Sequence, residues 1–380
     1  MNELKFYGDH IIVGPGSMNA IGECKEKRVF IITGKSAMFK NGAIGRLEAA
    51  LNEKNKVCEI YQGVGANPTT DEVEAGLVKM KAFNPEVVVA IGGGSVIDAA
   101  KVMTLLCEYE GLTIKNIREG KAPVKRQKIR LIAVPSTSGT ASEVTRAAVI
   151  TFGDENLKVG LKTEAFIPDV AILDGELTLS MPDHVMAESG MDALTHALEA
   201  YINKQADDFT KTMARGAAEG LIKHLPGSFH KGDIESRQHV HNFQCLAGFS
   251  FQNAGLGMSH GIAHAFGGRF GTGHGLLNAI ALPYVLKYNR RDAGVASDLD
   301  ELSRILEKDI IEAVVNLNKC FGIPGSFKSA GISEKDFSNH YDSLLENSLK
   351  GSTQRNPVKM DADEMDKVLK SIYYGKILFE

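Results

Sequence analysis

Apolar positions follow two different periods along this chain. Up to about residue 182, short continuous apolar runs alternate with stretches of helical period. Residues 28–33 (Arg-Val-Phe-Ile-Ile-Thr), 87–91 (Val-Val-Val-Ala-Ile), 130–134 (Arg-Leu-Ile-Ala-Val) and 170–174 (Val-Ala-Ile-Leu-Asp) are the runs. Their length and β-branched content predict strands buried on both faces. Between them, Thr69-Thr70-Asp71 can cap a helix that carries Val73, Leu77 and Met80 on one stripe. A second helix is expected from the glycines after residue 91 to about Leu106. Strands separated by helices imply parallel βαβ units. Beyond residue 182 the strand signals stop. Residues 184–204, 209–224, 234–256, 274–288 and 364–374 read with helical period. The expectation is an α/β domain over 1–182 followed by an all-α domain over 183–380.

Length and composition agree with two globular domains: 380 residues, 43% hydrophobic and 24% charged. A formal net charge of -4 offers no basic surface for nucleic acid. No apolar run approaches the ~20 residues of a spanning helix, and Met1 to Gly8 has no signal-peptide core, so no membrane partner is expected. Cys24, Cys58, Cys107, Cys245 and Cys320 are scattered and form no C-x-x-C, which points to reduced thiols and a cytoplasmic protein.

Two loops carry phosphate-binding chemistry. Ile91-Gly92-Gly93-Gly94-Ser95 leaves a buried strand and enters a helix, where glycines admit a phosphate to the free N–H groups of the first turn. Ser95 could cap that helix and donate to a phosphate oxygen. The spacing is not G-x-G-x-x-G, so an ordinary Rossmann topology does not follow. The second loop, Pro135-Ser136-Thr137-Ser138-Gly139-Thr140-Ala141-Ser142-Glu143, crowds hydroxyls around a glycine after another buried strand. By itself it reads as a solvated turn. Two such loops on neighbouring strands suit one dinucleotide lying across both.

Nine of the eleven histidines fall between His184 and His274. Asp192 and His196 stand four apart, stacked on one helix face, and can share a divalent ion. His260 and His264 form a second such pair, and His274 opens another helix. Spacing leaves two ligand sets open: Asp192, His196, His260 and His264, or the same with His274 replacing His264. His230, His239 and His241 lie among Lys231, Asp233, Glu235 and Arg237 and are expected to be solvated.

These residues resemble the iron-containing (group III) alcohol dehydrogenases over nearly the whole chain. The shared motifs are Gly92-Gly-Gly-Ser-x-x-Asp98-x-x-Lys101, Pro135-Ser-Thr-Ser-Gly-Thr140-x-Ser-Glu143, Gly190-Met-Asp192-Ala-Leu-Thr-His196-Ala-x-Glu199, His260-Gly-Ile-Ala-His264 and His274-Gly-x-x-Asn278-Ala-x-x-Leu-Pro283. The resemblance implies a dehydroquinate synthase-like fold, with a dinucleotide-binding α/β domain and a helical metal-binding and catalytic domain. It assigns Asp192, His196, His260 and His274 to the metal, and His264 to the substrate and nicotinamide side. Gly93, Gly94, Ser95 and Asp98 match cofactor contacts, as do Asn67, Ser136, Thr137, Thr140 and Lys158. Phe251 matches the substrate channel.

Two positions depart from the pattern. Where NAD-preferring members carry an acidic residue there is Gly34, followed by Lys35, which favours NADP. Ala147 replaces a polar residue and weakens the case for a polyol. The expected activity is interconversion of a small alcohol and its aldehyde or ketone, with NAD(P) and a divalent metal (iron, or else zinc), in a homodimer. The rivals are a glycerol-type dehydrogenase, a dehydroquinate synthase-like lyase that uses NAD transiently, and a non-catalytic metal-binding scaffold.

Overall fold

A computed structural model describes residues 8–153 and 157–379. The chain divides into two compact units, Met1–Met181 with Asp233–Cys245, and Pro182–Gly232 with Leu246–Glu380.

Among the described residues the first unit is built on eight strands: β1 (His10–Val13), β2 (Arg28–Gly34), β3 (Val57–Val64), β4 (Val87–Gly92), β5 (Arg130–Pro135), β6 (Ala147–Phe152), β7 (Leu157–Lys162) and β8 (Val170–Leu173). Six form a parallel sheet in the order β1-β8-β5-β4-β2-β3, while β6 and β7 pair as a separate antiparallel hairpin. Its helices include α1 (Ala37–Lys40), α2 (Ala43–Glu53), α3 (Thr70–Phe83), α4 (Gly94–Glu108) and α5 (Ile114–Arg118). All four predicted strands form, and β4 is buried at every position. Alternation then sorts the central strands. Phe30, Ile32, Val88, Ala90, Leu131 and Ala133 face one core with residues of α3 and α4. Val29, Ile31, Val87, Val89, Ile91 and Val134 face the other, with Ile44, Leu47 and Leu51 of α2. At α3 the Thr69 side chain accepts from Glu72 N while the Glu72 side chain accepts from Thr69 N. Those reciprocal bonds satisfy two donors that the helix itself leaves open.

The sheet order matters for function. After β2 the chain moves outward to β3, then returns to lay β4 on the other side of β2. That reversal is a topological switch point, where the carboxyl ends of parallel strands leave a crevice for ligands.

The second unit contains α6 (Asp183–Tyr201), α7 (Asp208–His230), the latter part of α8 (Ile234–Ala254), α9 (Met258–Phe270), α10 (His274–Asn289), α11 (Ala293–Leu306), α12 (Ile310–Cys320), α13 (Glu334–Asn339), α14 (Tyr341–Ser348) and α15 (Ala362–Tyr374). Among the described residues it has no strand. The earlier part of α8 belongs to the first unit. Helix α7 runs six residues past its expected end, with Pro226 inside it. Proline there removes one donor but keeps a helical φ. Helix α8 stops where Gly255 takes φ +89°. Helix α10 packs against α6 and α9, which gathers three chemistry-bearing segments. No helix of the described residues is long and apolar enough to cross a membrane. All five cysteines are free thiols.

Candidate active site

The first unit holds a cavity of about 280 Å³ at the switch point, lined by Gly34 and Lys35 at the end of β2, Gly65 and Ala66 after β3, Gly92 and Gly93 at the end of β4, and Ser136 after β5. Gly93 is the N-cap of α4 and brings no side-chain cap; in the first turn Val96 N donates back to Gly93 O (3.0 Å). A Cβ on Gly94 would lie 2.5 Å from Thr140 Oγ1, so glycine is what lets the two loops meet. Thr137 stands beside Gly93 in the same way, at 3.6 Å from the place a Cβ would take.

Ser95 does not cap α4. Its hydroxyl donates to Ala66 O at 2.6 Å and ties the loop before Asn67 to the helix start. Asp98 accepts from the Ser142 hydroxyl and, at 2.9 Å, from Val149 N, so both oxygens are engaged within the unit. Lys158 stands exposed on β7 opposite Thr151, outside the cavity lining.

Sequence reading missed the scaffold behind the second loop. Lys101, fully buried, donates from Nζ to Ser142 Oγ (2.8 Å), Thr145 Oγ1 (3.2 Å) and Ala147 O (2.7 Å). Burial pushes its pKa down to about 8, against the pull of Asp98 and Glu143. His241 was expected in solvent, and that expectation is corrected here: it is fully buried, with Nδ1 2.9 Å from Ser138 Oγ. Helical period turns Ser236, Arg237, Val240, His241 and Gln244 inward and leaves Lys231, Asp233 and Glu235 outside. Burial pushes the His241 pKa down to about 4, so the ring is neutral at pH 7. One turn on, Gln244 accepts from Ala141 N (3.0 Å) and donates to Glu143 (2.6 Å).

In the second unit Asp192 comes from α6, His260 from α9 and His274 from the first residue of α10. Their donor atoms lie within 4.8 Å of one another. Asp192 Oδ1 is 3.6 Å from His260 Nε2 and 3.7 Å from His274 Nε2. Burial would raise the Asp192 carboxyl, yet the imidazoles of His196, His274 and His260 outweigh it and hold the group ionised far below its usual range. For His260, burial works against the charge, but Asp192 and Glu199 raise its pKa to about 9.

His196 does not add a donor atom to that set. Its ring stacks on His260 (centroids 4.6 Å apart) and on Phe251 (4.3 Å). His264 also lies outside the set, stacked on His274 at 4.9 Å. Burial, with the neighbouring imidazoles of His274 and His260, takes its pKa down to about 3. Geometry thus brings together three of the four residues that the resemblance gives to the metal.

A fit test comes from His260 itself. Its Nε2 is buried and has no hydrogen-bond partner, a costly state for a polar atom. One carboxylate and two imidazoles around such an atom form a donor set for a divalent ion. Two further residues stand in the shared motifs without a role that the sequence assigned. Asn278 donates to Asp192 Oδ1 (2.8 Å) and contacts His274 Nε2 (3.1 Å). Glu199 Oε2 lies 2.7 Å from His260 Nδ1. Their signal was spacing: Asn278 is one helical turn from His274, and Glu199 two turns from Asp192.

Comparison with known proteins agrees with both units. Residues 9–175 match the family model for iron-containing alcohol dehydrogenase, and residues 186–373 match its C-terminal counterpart. An NADPH-dependent butanol dehydrogenase of Clostridium saccharobutylicum is 37% identical over 96% of this chain and 96% of its own. A 1-propanol dehydrogenase of Citrobacter freundii is 33% identical over 94% of this chain and 96% of its own. The solved structure of an iron-containing alcohol dehydrogenase from Thermococcus thioreducens superposes with a TM-score of 0.91 at 34% identity, covering 99% of this chain and 100% of the other. The chain belongs to the iron-containing alcohol dehydrogenase family and is a metal-dependent, NAD(P)-linked alcohol dehydrogenase.

Proposed function

We propose that the enzyme interconverts a small primary or secondary alcohol and its aldehyde or ketone, with NADP preferred over NAD. The observation that carries this reading is the convergence of Asp192, His260 and His274 on a buried imidazole nitrogen that lacks a partner. Asp192, His196, His260 and His274 are the proposed ligands, with His196 one turn from Asp192 on α6. Iron is the proposed metal, with zinc as the alternative, because mixed nitrogen and oxygen donors suit both. When bound, the ion supplies Lewis acidity towards a substrate oxygen and the nicotinamide gives or takes the hydride.

The chain's own groups supply the rest. His264, neutral at pH 7, is proposed to face the substrate and to accept or relay its proton. Phe251, stacked on His196, is proposed to wall the channel along the alkyl chain. Gly93, Gly94, Ser95, Ser136, Thr137 and Thr140 are proposed to hold the diphosphate, with Asn67, Asp98 and Lys158 as further contacts.

NADP preference is supported by the cavity itself: among its lining residues there is no carboxylate, and Lys35 is one of them. Glu72 lies 4.0 Å from Lys35 Nζ and is occupied in capping α3. The butanol dehydrogenase relative is NADPH-dependent as well. Free thiols suit a cytoplasmic enzyme, and the family likeness leads us to propose a homodimer. Initial rates with butanal and either coenzyme test the reading. Faster NADPH than NADH turnover is expected. Substrate loss without net coenzyme oxidation would mean a lyase instead.

A further inference from the structure

Helix α9 begins without a cap of its own. Its N-cap is Gly257, yet three backbone donors at its start are satisfied by side chains from elsewhere. Gly257 N donates to Glu199 Oε2 (2.9 Å), Ser259 N to Glu199 Oε1 (2.6 Å) and Met258 N to Asn356 Oδ1 (3.3 Å). Glu199 is 2% exposed and sits on α6 two turns after Asp192. Its approach needs Gly257, where a Cβ would stand 3.0 Å from Glu199 Oε1 and 3.2 Å from Asn356 Oδ1.

These bonds fix what Glu199 can do for its third neighbour. Both carboxylate oxygens already accept from backbone N–H groups, and a carboxylate has no hydrogen to donate. His260 Nδ1 lies 2.7 Å from Oε2, and that contact bonds only if the ring carries its hydrogen on Nδ1. When an ion occupies the Nε2 side, a ring that keeps its hydrogen on Nδ1 meets it with the Nε2 lone pair. Nε2 is the atom that faces Asp192 at 3.6 Å and has no hydrogen-bond partner.

We propose that Glu199 is a positioning residue of the metal centre: it accepts the ring N–H of His260 and so commits Nε2 to the metal. The proposal rests on the metal-binding reading above. One helix, α6, thereby supplies a ligand (Asp192) and the group that sets the tautomer of another ligand on α9. An outer carboxylate on a ligating imidazole fixes ring orientation and raises ligand basicity.

The competing role for Glu199 is helix capping alone, and Asn356 provides the control. It caps the same turn of α9 but makes no hydrogen bond to His260 among the described contacts. Zinc is the probe, titrated into metal-stripped full-length protein against a chromophoric chelator. Glu199→Gln leaves one acceptor oxygen for three donors, and its zinc affinity is expected to fall by about 10- to 100-fold. Asn356→Ala is expected to melt lower while binding zinc as wild type does. In zinc-loaded wild type, proton NMR with nitrogen-15-labelled histidine should show a downfield, slowly exchanging ring Nδ1–H that is missing from His260→Ala. That signal decides the matter even if the Glu199 variant fails to fold.

Undiminished zinc affinity in Glu199→Gln, an equal loss in Asn356→Ala, or no such proton in the zinc-loaded wild type would each overturn the assignment. Failure of the metal reading looks different: wild type would bind no zinc, or Asp192→Asn would bind it as tightly.

Discussion

Alanine at position 94 would push a methyl group into the gap between the two loops of the first unit. A Cβ there would stand 2.5 Å from Thr140 Oγ1, 2.8 Å from its Cγ2 and 3.0 Å from its Cβ. Rotating Thr140 relieves the first two contacts but not the third, so backbone has to move as well. Overpacking of this kind costs about 1–3 kcal/mol. If the displaced atoms are those that hold the dinucleotide, affinity falls by roughly tenfold for each 1.4 kcal/mol, or about 5- to 140-fold in all. NADPH dissociation constants from nicotinamide fluorescence, with melting temperatures alongside, read the effect in Gly94→Ala. Adding Thr140→Ala removes the two nearest atoms and should recover part of the loss. Unchanged NADPH affinity in a folded but less stable Gly94→Ala protein would refute the placement of the cofactor across these loops.

Three further outcomes follow from the same geometry. Gly34→Asp has room for its side chain, with the nearest atoms at 3.6 and 3.8 Å. A carboxylate about 5 Å from a 2′-phosphate repels it by about 1–3 kcal/mol per charge, so kcat/KM should fall with NADPH and hold or rise with NADH; an equal loss with both coenzymes would count against Lys35 and Gly34 as the selectivity site. His274→Ala should lose bound metal, whereas His264→Ala should keep it and lose kcat, both read by elemental analysis beside initial rates; the reverse result would exchange their roles. His241 ties stability to pH. Its folded pKa of about 4 lies below the unfolded value of 6.5, so the unfolded chain binds the extra proton between those values and stability is lost as pH falls through that window. The loss amounts to roughly 3 kcal/mol at 1.36 kcal/mol per unit, and His241→Gln should flatten that part of a denaturation-versus-pH curve.

Which features could be read from the sequence depended on how directly each residue shows its role. Strands β4 and β5 stood out because burial on both faces leaves a continuous apolar run. Strand β3 (Val-Cys-Glu-Ile-Tyr-Gln-Gly-Val) lies at the sheet edge, so polar residues interrupt it and it went unseen. Helices α11 and α12 were also passed over, although Val295, Leu299 and Leu302, then Ile310, Val314 and Leu317, mark their buried stripes. Asp192, His260 and His274 were readable as ligand types, but spacing alone could not choose between His260 with His264 and His260 with His274. That choice needs α10 laid against α6, a tertiary fact. Glu199 and Asn278 act through other side chains, and a sequence gives such residues no chemical signature of their own. His241 was misread because a charged run describes one face of a helix and says nothing of the other.

The central claim is that Asp192 and the imidazoles beside it hold the ion on which alcohol oxidation depends. Elemental analysis of anaerobically purified wild type and Asp192→Asn, followed by turnover of butanol with NADP before and after stripping and restoring metal, tests it most directly. The account predicts a stoichiometric divalent ion in the wild type, none in Asp192→Asn, and activity that leaves and returns with the ion. Full turnover by metal-free wild type, or an undiminished ion content in Asp192→Asn, would contradict it.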